Sequence, residues 1–439
     1  MGARPANFHR YLEDRWLQLK GESAPNQRIS ESDQRGGFDY LLLVIVAALL
    51  IIGLMMVYSA TFDLAYKEYE QPTYFFARQV LWAAIGVAVL LVMARIEYHN
   101  WQRFSILIMA GTLILLGVVL FVGSERFGAQ RSLFRGSIQP SELCKLALVI
   151  YVAHWLSSKE AQIRQVTYGL IPFSILIGLV AALIILQPDF STAVLIVATA
   201  VAMFFLAGSD PFQLVICFIV GSATFAFLIT RAPYRLARVV AFLDPLGDSY
   251  GSGYQVRQTL IALGSGGISG LGLGASRQKF GYLYASHTDG IFAILGEELG
   301  LIGCLVVIGL FAALAYRGFK IALEAPDSFG TLLASGITCW LIFQALINIA
   351  VVTATVPFTG IPLPFISFGG SSLAVSMAGI GLLLSVSRGG QQKEQRKSAR
   401  HDLGRRHWGP RLSSSGRRPG TRARQRRNSV SGLRSKHRG

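Results

Sequence analysis

The chain has 439 residues, 52% of them hydrophobic and only 15% charged, with a formal net charge of +17. A soluble domain carries about a quarter charged residues, so this balance excludes an ordinary soluble enzyme. Residues 388–439 hold seventeen Lys and Arg against two acids, so the basic excess belongs to the end of the chain and not to a nucleic-acid-binding fold.

Residues 1–36 form a polar leader in which Phe8, Tyr11, Leu12, Trp16 and Leu19 recur at helical spacing. That pattern suits either a short interfacial helix or an unstructured leader. No cleavable signal peptide is read, because the first apolar run, near Phe38, suits a spanning helix. A helix needs roughly 20 apolar residues to cross a bilayer core. The apolar runs predict about ten transmembrane helices, at 38–58, 79–94, 104–122, 143–156, 168–186, 191–207, 212–230, 291–316, 329–353 and 363–387. The expected fold is all-α: a polytopic membrane domain over 37–387, with one long extracytoplasmic loop at 231–290. A basic, disordered cytoplasmic tail is expected over 388–439, drawn to anionic membrane lipid. With an even number of spans and the basic tail inside, both termini are cytoplasmic. The four cysteines, Cys144, Cys217, Cys304 and Cys339, match no disulfide or metal spacing and read as small buried hydrophobes.

Four stretches carry chemistry. In Gln139-Pro140-Ser141-Glu142-Leu143-Cys144-Lys145, Pro140 suits a helix start, and Glu142 and Lys145 share a face and can pair. The pair reads either as the lining of a polar cavity or as a helix-end anchor. In Gln187-Pro188-Asp189-Phe190, a turn with a capping Asp is the stronger reading. In Ser286-His287-Thr288-Asp289, Asp289 is either a helix cap or a carboxylate at the outer membrane surface that accepts a proton from a hydroxyl. The fourth stretch, residues 357–372, has three prolines and three glycines that break the helical pattern. Irregular backbone at membrane depth must be buried in protein or line a cavity, and Ser367, Ser371 and Ser372 offer hydroxyls there. Arg131 lies in the outer loop 123–142. The loop 231–290 carries Arg231, Arg235, Arg238, Arg257, Arg277 and Lys279 against three Asp and no Glu. Cations kept outside, against the positive-inside tendency, suggest an anionic ligand such as a phosphate.

Together these stretches resemble the SEDS family (FtsW, RodA, SpoVE) of peptidoglycan glycosyltransferases. The resemblance runs through Gln139–Tyr151, Leu186–Ala193, Ala241–Pro245, Gly251–Gly274, Ser276–Lys279, His287–Gly303, Gln344–Val352 and Gly360–Leu373. The Gly-Gly-Ser-Ser-Leu ending of the last motif, the leader and the tail look more like the FtsW division branch than the RodA elongation branch. A sporulation member would look similar.

The resemblance implies a lipid II polymerase at the outer face of the bacterial cytoplasmic membrane, with a septal cell-wall role in division. It implies a class B penicillin-binding protein as partner, among other division or elongation proteins, and no nucleic acid. It implies Asp289 as the essential acid and Arg131, Glu142 and Lys145 around the substrate. The outward cations, Arg277 and Lys279 among them, would take the undecaprenyl pyrophosphate, and Ser367 and Ser371 would offer hydroxyls. No cofactor is required by the sequence and no metal-ligand cluster is visible, although a divalent cation, Mg or Mn, could accompany the pyrophosphate. The sequence departs from the family's usual Gly-Ala-Arg-Arg-Trp at Gly128-Ala129-Gln130-Arg131-Ser132. It also departs from Leu-Pro-Glu-Ala at Leu283-Tyr284-Ala285-Ser286, and from Phe at Gly290. The competing readings are a lipid II flippase, a secondary transporter, which would show paired repeats, and a non-catalytic scaffold of the division machinery.

Overall fold

The computed structural model describes residues 39–122, 124–126, 129–132, 139–159, 162–244 and 251–406, with backbone alone for 122, 124–126, 129–132, 252 and 391–406. The elements are α1 (Tyr40–Tyr69), α2 (Tyr74–Arg95), α3 (Tyr98–Val122), β1 (Ser124–Arg126), β2 (Ala129–Ser132) and α4 (Pro140–Ser158). They continue with α5 (Ile171–Leu186), entered through a π-helical turn at Val166–Leu170, α6 (Phe190–Leu206), α7 (Pro211–Thr230), α8 (Pro233–Leu243) and α9 (Ser252–Gly266). The last three are α10 (Ile291–Leu323), α11 (Ser328–Val352) and α12 (Gly370–Arg406).

Each of the ten expected spans is a helix. Among the described residues, eight helices are long and apolar enough to cross a membrane, and α6 is a shorter apolar helix. The remaining span, α4, carries Glu142 and Lys145 in its first turns and buries most of its length. The chain is therefore a multi-pass membrane protein.

The fold is all-α as expected, with one addition, a short antiparallel hairpin of β1 with β2 in the loop 123–142. Two expectations need correction. The long connection 231–290 is not one loop, because α8 and α9 lie within it. The last span starts at Gly370 and not at 363, and its helical backbone runs on to Arg406, into the stretch expected to be disordered. Residues 1–38 and 407–439, which contain the leader helix reading and most of the tail, lie outside the described residues.

Aspartates start four of the helices. Asp39, Asp189, Asp210 and Asp327 accept hydrogen bonds from Leu42 N, Thr192 N, Phe212 N and Gly330 N respectively. A capping carboxylate satisfies amides that the first turn leaves unpaired. Asp39 also holds the Arg317 guanidinium of α10, with Nε at 3.1 Å from Oδ2. The core gathers around α11, which packs on α10, α4 and α6. Of the most apolar stretch of each helix, 67% is buried in α11 and 78% in α12, but only 6% in α7. The first two are therefore central and α7 is peripheral. Between α11 and α12 the chain is non-helical from Thr353 to Gly369.

Helix α10 breaks at Gly300, where φ is 67° and ψ is −165°. A regular helix would bond Leu301 N to Glu297 O and Ile302 N to Glu298 O. Here the segment after α9 inserts between them. Leu271 N and Gly272 N donate to Glu297 O and Glu298 O, each at 3.0 Å. Leu301 N and Ile302 N donate to Gly267 O at 3.0 Å and Ile268 O at 3.2 Å. All four groups freed by the break are thus satisfied within the protein, as non-helical backbone in a membrane requires. Only glycine fits at the crossing. A Cβ on Gly300 would lie 2.3 Å from Gly270 N, and one on Gly270, at φ +80°, would lie 2.2 Å from Glu298 O.

Gly300→Ala and Gly270→Ala should each destabilise the fold by at least about 1–3 kcal/mol, the usual cost of a side chain in such a conformation. Gly264→Ala in α9 meets nothing within 4 Å and should leave the melting temperature in detergent unchanged or slightly raised.

Candidate functional site

The site is built on the segment before α10 and the segment before α12. Their contact runs through three consecutive carbonyls. Phe368 N donates to His287 O at 2.9 Å, Ser367 Oγ to Thr288 O at 2.6 Å, and Asn348 Nδ2 to Asp289 O at 2.9 Å. The backbone of His287-Thr288-Asp289 is therefore held at every residue. Asp289 sits just before the first turn of α10 and is half-buried.

Asn348, on α11, is the pivot. The same Nδ2 also donates to Ile361 O at 2.8 Å. One turn earlier on the same face, Gln344 Nε2 donates to Pro362 O at 2.9 Å. Gln344 Oε1 in turn accepts from Lys145 Nζ at 2.9 Å and from Trp340 Nε1 at 3.0 Å. Lys145 Nζ lies 2.7 Å from Glu142 Oε2, and both side chains are almost fully buried. Their contact is an ion pair and not an aligned hydrogen bond, since Glu142 Oε2 has no hydrogen-bond partner of good geometry. Glu142 and Lys145 thus share a face and pair. Their charges are turned into the protein, where they anchor Gln344 and through it the 353–369 segment.

Asp189 caps α6 and also accepts from Ser141 Oγ at 3.1 Å and Gln139 Nε2 at 3.0 Å. It ties the start of α4 to the start of α6.

Ser367 and Lys279 have different roles from those expected. Ser367 Oγ accepts from Leu363 N at 2.8 Å while donating to Thr288 O. Its hydroxyl is a latch between two segments, with its donor already engaged. Lys279 Nζ is buried against Glu298 Oε1 at 3.0 Å, Gly274 O at 2.7 Å and Ser59 Oγ at 3.1 Å. Its three protons are matched by three acceptors, so it closes the α10 break and is not poised for an outside anion. The neighbouring carboxylate of Glu297 accepts from Ser276 Oγ and from Arg277 N, the latter at 2.9 Å. This fixes the backbone of Arg277 and leaves its side chain exposed. Ser371 is half-buried in the first turn of α12, outside this hydrogen-bonded group. Arg131 lies in β2, and its side chain is outside the described residues.

Arg238, one of the loop cations, lies on α8 and donates to Phe358 O at 3.5 Å, which brings it against the 353–369 segment. Other functional candidates were missed by sequence reasoning. Buried Gln79 on α2 donates to Ser367 O at 3.3 Å and accepts from Gly369 N at 3.4 Å. Gln344, Asn348 and Gln79 each stand in an apolar helix, and a polar side chain at membrane depth is the signal that marks them. His287 packs its ring near Phe75 and Phe368, with centroids 5.8 and 5.9 Å away. Burial there pushes its pKa down to about 4, so the ring is neutral at pH 7. Among the described residues, no group of three or more His, Cys, Asp or Glu side chains could hold a metal ion.

A family model described as "Cell cycle protein", FTSW_RODA_SPOVE, matches residues 40–392. The chain is 43% identical over 354 residues to the stage V sporulation protein E of Bacillus subtilis, a match covering 80% of this chain and 97% of that one. It is 40% identical over 361 residues to the probable peptidoglycan glycosyltransferase FtsW of Trichlorobacter lovleyi, covering 80% and 93%. Among solved structures it is similar to a chain of a peptidoglycan synthase complex described as coordinating polymerization and crosslinking. There the TM-score is 0.66, the identity 28%, and the cover 80% of this chain and 98% of that one.

Two outcomes follow from this geometry. Glu142→Ala should cost about 3–5 kcal/mol by leaving Lys145 buried without its partner, whereas Glu142→Leu with Lys145→Met should recover most of that loss. Thermal melting in detergent compares them. For His287, the folded pKa lies below the unfolded value of about 6.5, so its contribution to stability is complete above that pH and is lost as pH falls through about 4. Between pH 7 and pH 4 the wild type should therefore lose more stability than His287→Phe.

Proposed function

Because the chain belongs to the FtsW, RodA and SpoVE family of cell cycle proteins, we propose that it is a peptidoglycan glycosyltransferase that polymerises lipid II and uses Asp289 as its central acid–base group. The observation that carries this reading is the placement of Asp289. Its backbone and the two residues before it are fixed by bonds from three side chains or amides, while the residue as a whole is only half-buried. A general base must be held in place and still be reachable by the hydroxyl that it deprotonates.

In this reading, Asp289 takes the proton from the 4-hydroxyl of the acceptor sugar. The oxygen attacks the donor's anomeric carbon from the face opposite the leaving group. The bond from that carbon to the undecaprenyl pyrophosphate breaks, and an inverted β-1,4 link forms. Arginines on the long outer connection stabilise the departing pyrophosphate. Arg238, held against Phe358 O, and the exposed Arg277 are the cations best supported by position. Any Mg or Mn ion would be held by the pyrophosphate, since among the described residues no cluster of three or more His, Cys, Asp or Glu could hold one. Glu142, Lys145, Gln344 and Asn348 act through the loop that they hold, not on the substrate.

The partner in this reading is a class B penicillin-binding protein, in line with the polymerization and crosslinking described for the similar complex. Both termini face the cytoplasm, where the basic end of the chain meets anionic lipid. A septal role is supported by the FtsW relatives, but identities of 43% to the sporulation protein and 40% to an FtsW do not favour the division branch over the sporulation branch.

The test is lipid II polymerisation by the purified protein with its transpeptidase partner, the transpeptidase being blocked. Wild type should make glycan polymer, and Asp289→Asn, equally stable and equally bound to the partner, should make at least a hundredfold less, at the lower end of what acid–base catalysis contributes. Equal product from both would remove Asp289 from the chemistry. No product from either would turn the reading to lipid transport or scaffolding.

A further inference from the structure

Gly360 stands beside Asp289. A Cβ built on Gly360 would lie 3.2 Å from Asp289 Oδ2 and 3.9 Å from Cγ. Apart from its chain neighbours, no other described residue comes within 4 Å of that point. The backbone gives no reason for the glycine, because Gly360 is not among the residues with positive φ. It is also exposed, so no packed neighbour excludes a side chain.

The gap cannot drift open or shut. Asn348 Nδ2 holds Asp289 O on one side and Ile361 O, next to Gly360, on the other. A single nitrogen thus sets the separation of the two strands that border the gap. Ser367 and Phe368 hold the same strands a few residues away.

The magnitudes give the gap a use. A hydroxyl that gives its proton to a carboxylate must come within about 2.6–3.2 Å of the oxygen. A methyl group on Gly360 would occupy that shell on the Gly360 side of Oδ2. We propose that the bare backbone of Gly360 is the entry through which the acceptor sugar presents its hydroxyl to Asp289, so that Gly360 determines acceptor access. This rests on the reading of the protein as a glycosyltransferase.

The test uses the purified protein with its partner transpeptidase blocked, and lipid II as the probe. Gly360→Ala should keep the wild-type melting temperature and partner binding, yet polymerise at least tenfold more slowly. A methyl against the carboxylate also removes water from it, which raises its pKa. The acid limb of the pH–rate profile should therefore move to higher pH, a shift that a purely structural defect would not produce. A Gly360→Ala rate equal to wild type overturns the proposal. Asp289→Asn in the same assay separates the two claims: if it is inactive while Gly360→Ala is fully active, only the access inference falls, and if it is active, the transferase reading falls as well. Should Gly360→Ala melt early, access is read directly on Asp289→Cys with glycine kept at 360. A hexose-bearing methanethiosulfonate should modify that thiol in the folded protein, with the site assigned by mass spectrometry. A thiol that reacts only after unfolding in dodecyl sulfate overturns the proposal.

Discussion

The structure depends on one repair of the peptide backbone. Helix α10 has to begin at Asp289 and also to pack along α11 and α1, and it does so by breaking at Gly300. A break in a membrane helix exposes two carbonyls and two amides, and in hydrocarbon each unsatisfied group costs several kcal/mol. The segment from Gly267 to Gly272 enters the break and satisfies all four. The turns of α10 before the break therefore act as a separate piece, oriented by that insertion, and Asp289 sits at its head. The Glu297 and Glu298 carboxylates extend the same repair outward, through Ser276, Arg277 N and Lys279. What looks like a glycine-rich surface loop is threaded into the break of α10.

The second constraint is how a polar loop stays fixed against an apolar helix. Residues 353–369 have few internal backbone bonds, so their order comes from outside. Gln344 and Asn348, one helical turn apart, supply it by donating to Pro362 O and to Ile361 O. Amides suit the task because each offers two donors and an acceptor without a charge to desolvate. The charge of Lys145, which bonds Gln344, is balanced by that of Glu142. A buried ion pair is weak as a source of stability, but here it sets the direction of the Gln344 amide. The order of dependence runs from α4 through α11 to the loop, and from the loop to the backbone of Asp289.

The helices were legible in the sequence because a span must be long and apolar, and that pattern survives any packing. The Glu142–Lys145 pair was legible from a spacing of three on a helix, and the Asp189 cap from its place after Pro188. The interruption before α12 was legible from its prolines and glycines. The roles of Lys279 and Ser367 were not. A cation in an outward loop looks the same in sequence whether it faces water or Glu298, and only the insertion into α10 decides the matter. The missed amides had a weaker signal, since a single Gln or Asn barely alters the hydropathy of a long run. Helix α8 and the hairpin β1–β2 were hidden because short polar-flanked elements lack the length that makes a span obvious.

The cations around the site differ in placement. Lys145 and Lys279 are both buried, and each meets a glutamate. Arg231 and Arg277 are exposed, while Arg235, Arg238 and Arg257 are half-buried. A lysine is a compact point charge that one carboxylate and one or two neutral acceptors can satisfy inside a protein. An arginine presents a planar fork that is more weakly hydrated and fits two phosphate oxygens at once. Internal lysines hold the scaffold, and arginines remain at its surface on the connection between α7 and α10. The arginine at 238 belongs partly to both groups, because its bond to Phe358 O joins α8 to the segment that borders Asp289.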